Sequence, residues 1–390
     1  MKIGFNALFL QTPANGSAHY LVHLLHALGE VDKQNEYILL GARPLSCDSQ
    51  GRPQGASLPV PFPYEAHPVP TWGQRNENIE KVLWEQFTGP RAARHAGVDL
   101  FHIPYFAPSN FSRTPTVVTI HDVIPLRLPL YRAGAKVEAY MRLVAHAAHK
   151  ATLIITVSQH SKQDMIDALK LPAERTRVIY TAAGDEFFPI ADQAVLAETR
   201  KRYGVGDEYI FYLGGLDQRK NVPQLVRAFG HLYKQLGNPN LQLFISGNPD
   251  KQNGAFFPDP RPVAAELGIT EQVIYRFVED KDKPAMYSGA SLFAFPAVYE
   301  GFGLPPLEAM SCGAPVVCSN RTSLPEVVGD AALSVDPDDT QALVEAMKRV
   351  LTDNMLRNDL RARSLKQAAK FNWRKAATET ISAYEEAMKT

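Results

Sequence analysis

Cysteine is scarce in this chain. Cys47, Cys312 and Cys318 are an odd number, with no C-x-x-C spacing among them. That argues against a disulfide framework and against a zinc site, and it fits a reducing compartment. Long hydrophobic runs are missing too. No stretch reaches about 18 uninterrupted apolar residues, so no spanning helix is expected. The most apolar region, Leu143 to Val157, carries His146, His149 and Lys150 in its middle. The opening Met1-Lys-Ile-Gly-Phe-Asn-Ala-Leu does not read as a secretory signal, because Asn6 and Gln11 break its apolar run and no small-residue cleavage site follows. Nor is there an excess of either charge: 41 Lys and Arg balance 41 Asp and Glu, and nothing marks a nucleic-acid binder. A soluble, cytoplasmic protein is expected, with peripheral contact at the inner membrane left open.

What the chain does have is alternation. Its 390 residues exceed one ordinary core and point to two domains of roughly 150–200 residues each. Short β-branched runs alternate with longer amphipathic segments, the pattern of a doubly wound α/β fold. Strands are expected at Lys2–Phe5, Tyr37–Leu40, Leu100–Ile103, Thr116–Ile120, Leu153–Val157 and Arg177–Tyr180. The pattern restarts at Tyr209–Leu213, Leu241–Ser246, Val273–Phe277, Leu292–Phe295, Pro315–Cys318 and Ala332–Val335. Between the halves, Ala183-Gly-Asp-Glu-Phe-Phe-Pro189 has the punctuation of a linker. The expected domains are 1–187 and 188–371, with a helix over 372–390, anchored by Trp373, returning to the first. Residues 43–78 are rich in proline and lack periodicity, so a lid or a disordered loop is expected there.

The most informative string is Ala297-Val-Tyr-Glu300-Gly301-Phe302-Gly303-Leu304-Pro-Pro-Leu-Glu308. A buried strand ends at Pro296, a glycine turn follows, and Pro305 or Pro306 suits the first helical position. Such a turn aims the amides of Gly301 to Leu304 at an anion such as a diphosphate. Glu300 and Glu308 fall near the carboxyl end of a strand, where open α/β sheets bind ligands. Paired carboxylates of this kind can grip the hydroxyls of a hexose and a ribose.

This string resembles the Glu-x7-Glu motif of family 4 retaining glycosyltransferases, which have the GT-B fold of two Rossmann-like domains facing across a cleft. The following Ser311-Cys-Gly-Ala-Pro-Val-Val-Cys-Ser-Asn-Arg-Thr-Ser-Leu-Pro-Glu326-Val-Val-Gly-Asp330 matches as well. The resemblance implies that Glu300 holds donor-sugar hydroxyls and Glu308 the ribose. It also implies that Phe302, Gly303 and Leu304 offer main-chain amides to sugar and phosphates.

Leu213-Gly214-Gly215-Leu-Asp-Gln-Arg219-Lys220-Asn221 runs from a strand through a glycine turn to a basic pair. Arginine supplies a planar fork and lysine a compact charge, so together they can neutralise a departing diphosphate. The place resembles the family's phosphate clamp. Thr119-Ile-His121-Asp122-Val-Ile-Pro125 follows a strand of the first domain. By the resemblance, His121 hydrogen-bonds a donor hydroxyl and supports an oxocarbenium-like transition state, while Asp122 either joins it or orients the loop.

Gly16 lies in Pro13-Ala-Asn-Gly16-Ser-Ala18-His19-Tyr, where the family usually has a second glycine at position 18 and Arg at 19. Ser246 and Gly247 form a strand-to-glycine turn that would border the nucleotide. Arg276-Phe277-Val278 resembles the segment whose main chain reads the base. Ser158 matches a cleft element and reads equally well as a helix cap.

Asp280-Lys-Asp282 and Asp336-Pro-Asp338 are formal D-x-D matches in acidic contexts ordinary near helix starts. The Arg219/Lys220 pair makes a metal unnecessary, so no metal and no cofactor are expected. No GxGxxG follows the first strand, which argues against a nicotinamide dehydrogenase. The expected activity is retaining transfer of a hexose to a hydroxyl of a glycan, glycolipid or small acceptor. The His121–Pro125 and Arg321–Pro325 segments look like the bacterial polysaccharide mannosyltransferase branch. GDP-mannose is therefore the favoured donor, with a UDP-hexose next. A nucleotide-sugar epimerase of the same fold and a non-catalytic sugar-nucleotide-binding protein are the competing readings.

Overall fold

The computed structural model describes all residues except 12–15, 49–52, 54–59, 133, 248, 252, 253 and 390. It divides into two units, Met1–Thr181 with Asn372–Thr390, and Ala182–Phe371. The division falls at Thr181/Ala182, ahead of the expected 187/188, so the segment read as a linker belongs to the second unit. Phe187 is the reason: its ring is buried against Tyr287, 6.0 Å between centroids, in the second unit's core.

The first unit is one parallel sheet in the order β3-β2-β1-β4-β5-β6-β7. Its strands are β1 Lys2–Asn6, β2 Glu36–Gly41, β3 Tyr64–Ala66, β4 Leu100–Ile103, β5 Thr116–Thr119, β6 Leu153–Thr156 and β7 Thr176–Val178. The second sheet, also parallel, runs β10-β9-β8-β11-β12-β13. Its strands are β8 Tyr209–Leu213, β9 Gln242–Ser246, β10 Val273–Tyr275, β11 Leu292–Phe295, β12 Val316–Ser319 and β13 Ala332–Val335. In each unit the chain winds outward for three strands, then returns to the other side of the first. The switch points lie between β1 and β4 and between β8 and β11.

Helices cover both faces of such sheets, so central strands are buried throughout and read as continuous apolar runs. β4, β11 and β12 have no exposed residue. The Val222–Leu236 helix shows the complementary period, burying Val222, Leu225, Val226, Phe229 and Leu232 on one stripe. Each such side chain contributes about 1.5–3 kcal/mol relative to exposure.

Some helices carry no clear sequence pattern. Gln193–Tyr203 buries only Leu196, Thr199 and Tyr203, too few for a clear period. Arg261–Leu267 is short and buries only Ala264. The helices Glu77–Leu83 and Gly89–His95 are joined by a π-turn at Trp84–Thr88. Within 43–78, β3 pairs with β2 and Arg43 pairs with Glu80, so part of that segment is built into the sheet edge. Of the segment expected as a lid or a disordered loop, 49–52 and 54–59 lie outside the described residues.

The Trp373–Ala387 helix packs in the first unit. Trp373 stacks on His23, 5.3 Å between ring centroids, and Arg177 pairs with Glu386. His102, inside β4, bridges the Tyr384 hydroxyl at 2.7 Å and Thr119 Oγ1 at 2.8 Å. Among the described residues, no helix is long and apolar enough to cross a membrane.

Candidate active site

Because β8 and β11 are neighbours, the turns leaving their carboxyl ends meet at the switch point, the usual ligand crevice of this sheet type. From β8 the chain passes Gly214 and Gly215 into a short turn, Gln218–Lys220. From β11 it passes Pro296 to Glu300 and the Leu304–Ser311 helix. The Arg219 carbonyl accepts from the Val298 amide at 2.7 Å, and Arg219 Nη1 donates to the Tyr299 carbonyl at 3.1 Å. These bonds lock the two turns together.

Lys220, Arg219 and Glu300 meet there. Lys220 Nζ donates to Glu300 Oε1, and Arg219 Nη1 sits 2.9 Å from the same oxygen. Asp217, two residues before Arg219, holds its Nε at 3.1 Å. Lys220 is 6% exposed and Glu300 8%, and the ammonium lies 4.9 Å from the Phe295 ring centre. Burial alone would raise the Glu300 carboxyl, yet Lys220 and Arg219 together hold it below the usual carboxylate range. The carboxylate is therefore ionised and the cations are fixed in place. Such preset charges stabilise a developing anion without reorganising when it forms.

The Leu304–Ser311 helix follows Gly303, whose φ of 121° suits glycine and whose added Cβ would meet Leu324 Cδ2 at 2.7 Å. No side chain caps this helix, and Pro305 and Pro306 carry no N–H. The donors at this end are therefore amides that precede Pro305, those of Gly303 and Leu304 standing at the helix start itself. Phe302 turns inward onto Phe371, 5.8 Å between centroids, so any contact it offers a ligand is through its backbone. Glu308 is buried, receives the Tyr287 hydroxyl at 2.9 Å, and has its carboxyl pushed up by burial against the opposing Lys283 charge.

Ser246, Gly247 and Val278 come together at the ends of β9 and β10. Ser246 Oγ accepts from the Val278 amide at 3.2 Å, and the Gly247 amide donates to the Arg276 carbonyl at 3.3 Å. Phe277 between them is 70% exposed, its ring presented to solvent. Neither D-x-D match is an open acidic pair. Asp282 binds Arg202 and the Tyr203 hydroxyl at 2.8 Å, and Asp336 and Asp338 each grip Arg321 at 2.7 Å.

In the first unit, His121 follows β5. Its Nε2 lies 3.1 Å from the Pro104 carbonyl, which can only accept, so Nε2 carries the proton and Nδ1 is left as an acceptor. The Tyr20 ring packs edge-on against it at 4.7 Å. Burial pushes the imidazole down to about 4, so it is neutral at physiological pH. Asp122 accepts from the Ile124 amide at 3.1 Å and orients the loop. Ser158, a candidate substrate contact from sequence, is fully buried and caps the Gln159–Leu169 helix, its Oγ accepting from the Ser161 amide at 3.0 Å. Gly16 is the exposed first residue of the Gly16–Val31 helix, and the turn before it lies outside the described residues.

Asp217 and Tyr287 were not singled out from sequence, though each supports a candidate residue. Asp217 stands two places before Arg219, a spacing that offers only a weak signal. Nothing local marks Tyr287.

The model of the "Glycosyl transferases group 1" family matches residues 197–367, and that of "Glycosyltransferase Family 4" matches 14–185. An Escherichia coli O-antigen chain mannosyltransferase B is 35% identical over 289 residues, 73% of this chain and 74% of that protein. The longer E. coli serotype-specific mannosyltransferase WbdA is 34% identical over 69% of this chain, which matches 33% of it. Among solved structures, sucrose-phosphate synthase from Thermosynechococcus elongatus superposes with a TM-score of 0.74 at 19% identity, covering 99% of this chain and 98% of that one. Anabaena Alr3699/HepE, in complex with UDP and glucose, gives 0.73 at 18% identity, covering 99% of this chain and 100% of that one. The architecture and these likenesses together make the chain a glycosyltransferase, a member of group 1 with the GT-B fold, near the bacterial mannosyltransferase branch.

Proposed function

We propose that this chain moves a hexose from a nucleoside diphosphate sugar, mannose from GDP-mannose first and a UDP-hexose second, onto a glycan hydroxyl. Transfer proceeds with retention and without a metal, in the building of a polysaccharide. The observation that carries the proposal is the convergence of Lys220 and Arg219 on Glu300 at the β8/β11 switch point. The mannosyltransferase relatives support the sugar, and the UDP complex of Alr3699/HepE supports a nucleotide donor.

In this reading Lys220, Arg219 and the Gly303–Leu304 amides face the diphosphate. The bond from the anomeric carbon to the phosphate oxygen breaks, and its electron pair leaves with the nucleoside diphosphate. Fixed cations stabilise that growing charge more than they stabilise the bound donor. The acceptor oxygen bonds to the anomeric carbon on the face being vacated, and its proton passes to the departing phosphate oxygen. Glu300 orients sugar hydroxyls and Glu308 the ribose. His121, neutral with Nδ1 open as an acceptor, takes a hydrogen bond from a donor hydroxyl. With the leaving-group charge met by protein cations, no metal is needed.

The test is a screen of nucleotide sugars for donor consumption with and without glycan acceptors, followed by anomeric analysis of the product and assay in chelator. Loss of turnover by about 100-fold or more in Arg219→Ala/Lys220→Ala supports the clamp. An inverted product, activity abolished by chelator, or full turnover in that variant overturns the corresponding part. Donor consumed to an epimer without acceptor would assign the epimerase reading instead.

A further inference from the structure

Three non-glycine residues among those described have a left-handed backbone: Lys170, Asn221 and Thr322. Lys170 ends a helix, and asparagine tolerates this region. Thr322, at φ 58°, is the β-branched one, for which the conformation is a genuine outlier. Such strain persists only where the surroundings over-determine it.

The surroundings are specific. On one side Arg321 is tied to Asp336 and Asp338 at 2.7 Å each, and its amide donates to Ser319 Oγ at 3.1 Å. On the other, the fully buried Ser323 hydroxyl lies 3.0 Å from the Glu300 carbonyl and 2.6 Å from that of Phe302. Thr322 is held between these anchors, and its Oγ1 accepts from the Glu300 amide at 3.1 Å. Both backbone groups of Glu300 are thereby bound to this one loop, while its carboxylate is bound to Lys220 and Arg219.

We infer that Thr322 is a positioning residue. Its strained hydroxyl fixes the Glu300 backbone and so sets the Lys220–Arg219–Glu300 geometry on which transfer depends. This rests on the role proposed above for those three groups. The hydroxyl and the strain are separable by substitution. Thr322→Val keeps the branch and loses the hydroxyl, Thr322→Ser keeps the hydroxyl and sheds a methyl, and Thr322→Gly removes both the hydroxyl and the steric penalty.

Steady-state kinetics and thermal unfolding of the full chain decide the matter. The expected activity order is Thr and Ser together, above Gly and Val, with kcat down by about 10- to 100-fold in the latter two and donor KM changed far less. The expected stability order differs: Gly and Ser match or exceed the parent, and Val falls below it. A Gly variant with parental kcat, or activities that simply follow melting temperature, overturns the inference. A second readout needs no turnover: the coupling of Lys220 to Glu300 from a double-mutant cycle of unfolding, in parent and Thr322→Gly backgrounds. A coupling at least halved by Thr322→Gly supports the positioning role, and an unchanged coupling overturns it. A parent that consumes no nucleotide sugar would sink the proposed function alone, and the coupling measurement would still decide Thr322.

Discussion

Lys220→Met is the perturbation that bears most directly on the proposed site. Methionine keeps most of the stem above the Phe295 ring and removes the ammonium that pairs with Glu300. Breaking a buried pair from one side typically costs about 3–5 kcal/mol, because the remaining charge is left uncompensated. Arg219 Nη1 still lies 2.9 Å from Glu300, so the low end applies, about 3 kcal/mol at neutral pH. Glu300→Gln strands Lys220 in the same way and loses a similar amount. The double variant leaves neither charge buried and is expected within about 1 kcal/mol of the parent.

Activity behaves differently. Lys220→Met lowers kcat by about 100- to 1000-fold, and restoring stability with Glu300→Gln does not restore turnover. The pH dependence follows from Glu300, whose folded carboxyl is held below its unfolded value by the two cations. That contribution is complete above the unfolded carboxylate range and is lost as pH falls through the folded value. The Lys220→Met deficit is therefore largest at neutral pH and shrinks in acid, where Glu300 is protonated in the variant. Urea unfolding followed by far-UV circular dichroism measures all four corners of the cycle. Single-variant losses under about 0.5 kcal/mol, or a double variant equal to the sum of the singles, would refute the reasoning.

Other outcomes follow from neighbouring features. His102 is buried between Tyr384 and Thr119, and burial pushes its imidazole from 6.5 down to about 3. Its neutral form is favoured by folding, so its contribution is complete above pH 6.5 and is lost as pH falls towards 3. At pH 4.5 the loss is on the order of 2–3 kcal/mol, and His102→Gln should flatten that acid limb. Trp72, Trp84 and Trp373 all lie in the first unit, so tryptophan fluorescence reads it directly; an unchanged acid limb counts against the assignment. Gly303→Ala meets both the φ of 121° and Leu324 at 2.7 Å. It is expected to lower stability by about 1–3 kcal/mol and donor turnover with it, and a variant with parental melting temperature would disprove the close approach.

Much was legible locally. The central strands are buried on both faces, so their apolar runs stand out, and strong helices such as Val222–Leu236 carry their period openly. The polar Gln193–Tyr203 helix carries no such period, because three buried positions do not make a stripe. Ser158 shows the limit for single residues: the same serine suits a cleft or a cap, and only the folded chain shows its oxygen accepting from the Ser161 amide.

The α/β class, the family likeness, and the turn from Glu300 to Glu308 as the centre of interest can all be read along the chain. All of these are carried by residues close together in the chain. Tertiary structure alone brought Lys220 to Glu300, 80 positions away, Thr322 to the Glu300 amide, and His102 to Tyr384, 282 positions away. The physical reason is strand order. Hydrophobic period says that a segment is a strand, but only the packed sheet makes β8 the neighbour of β11 and lets their turns share one charge cluster.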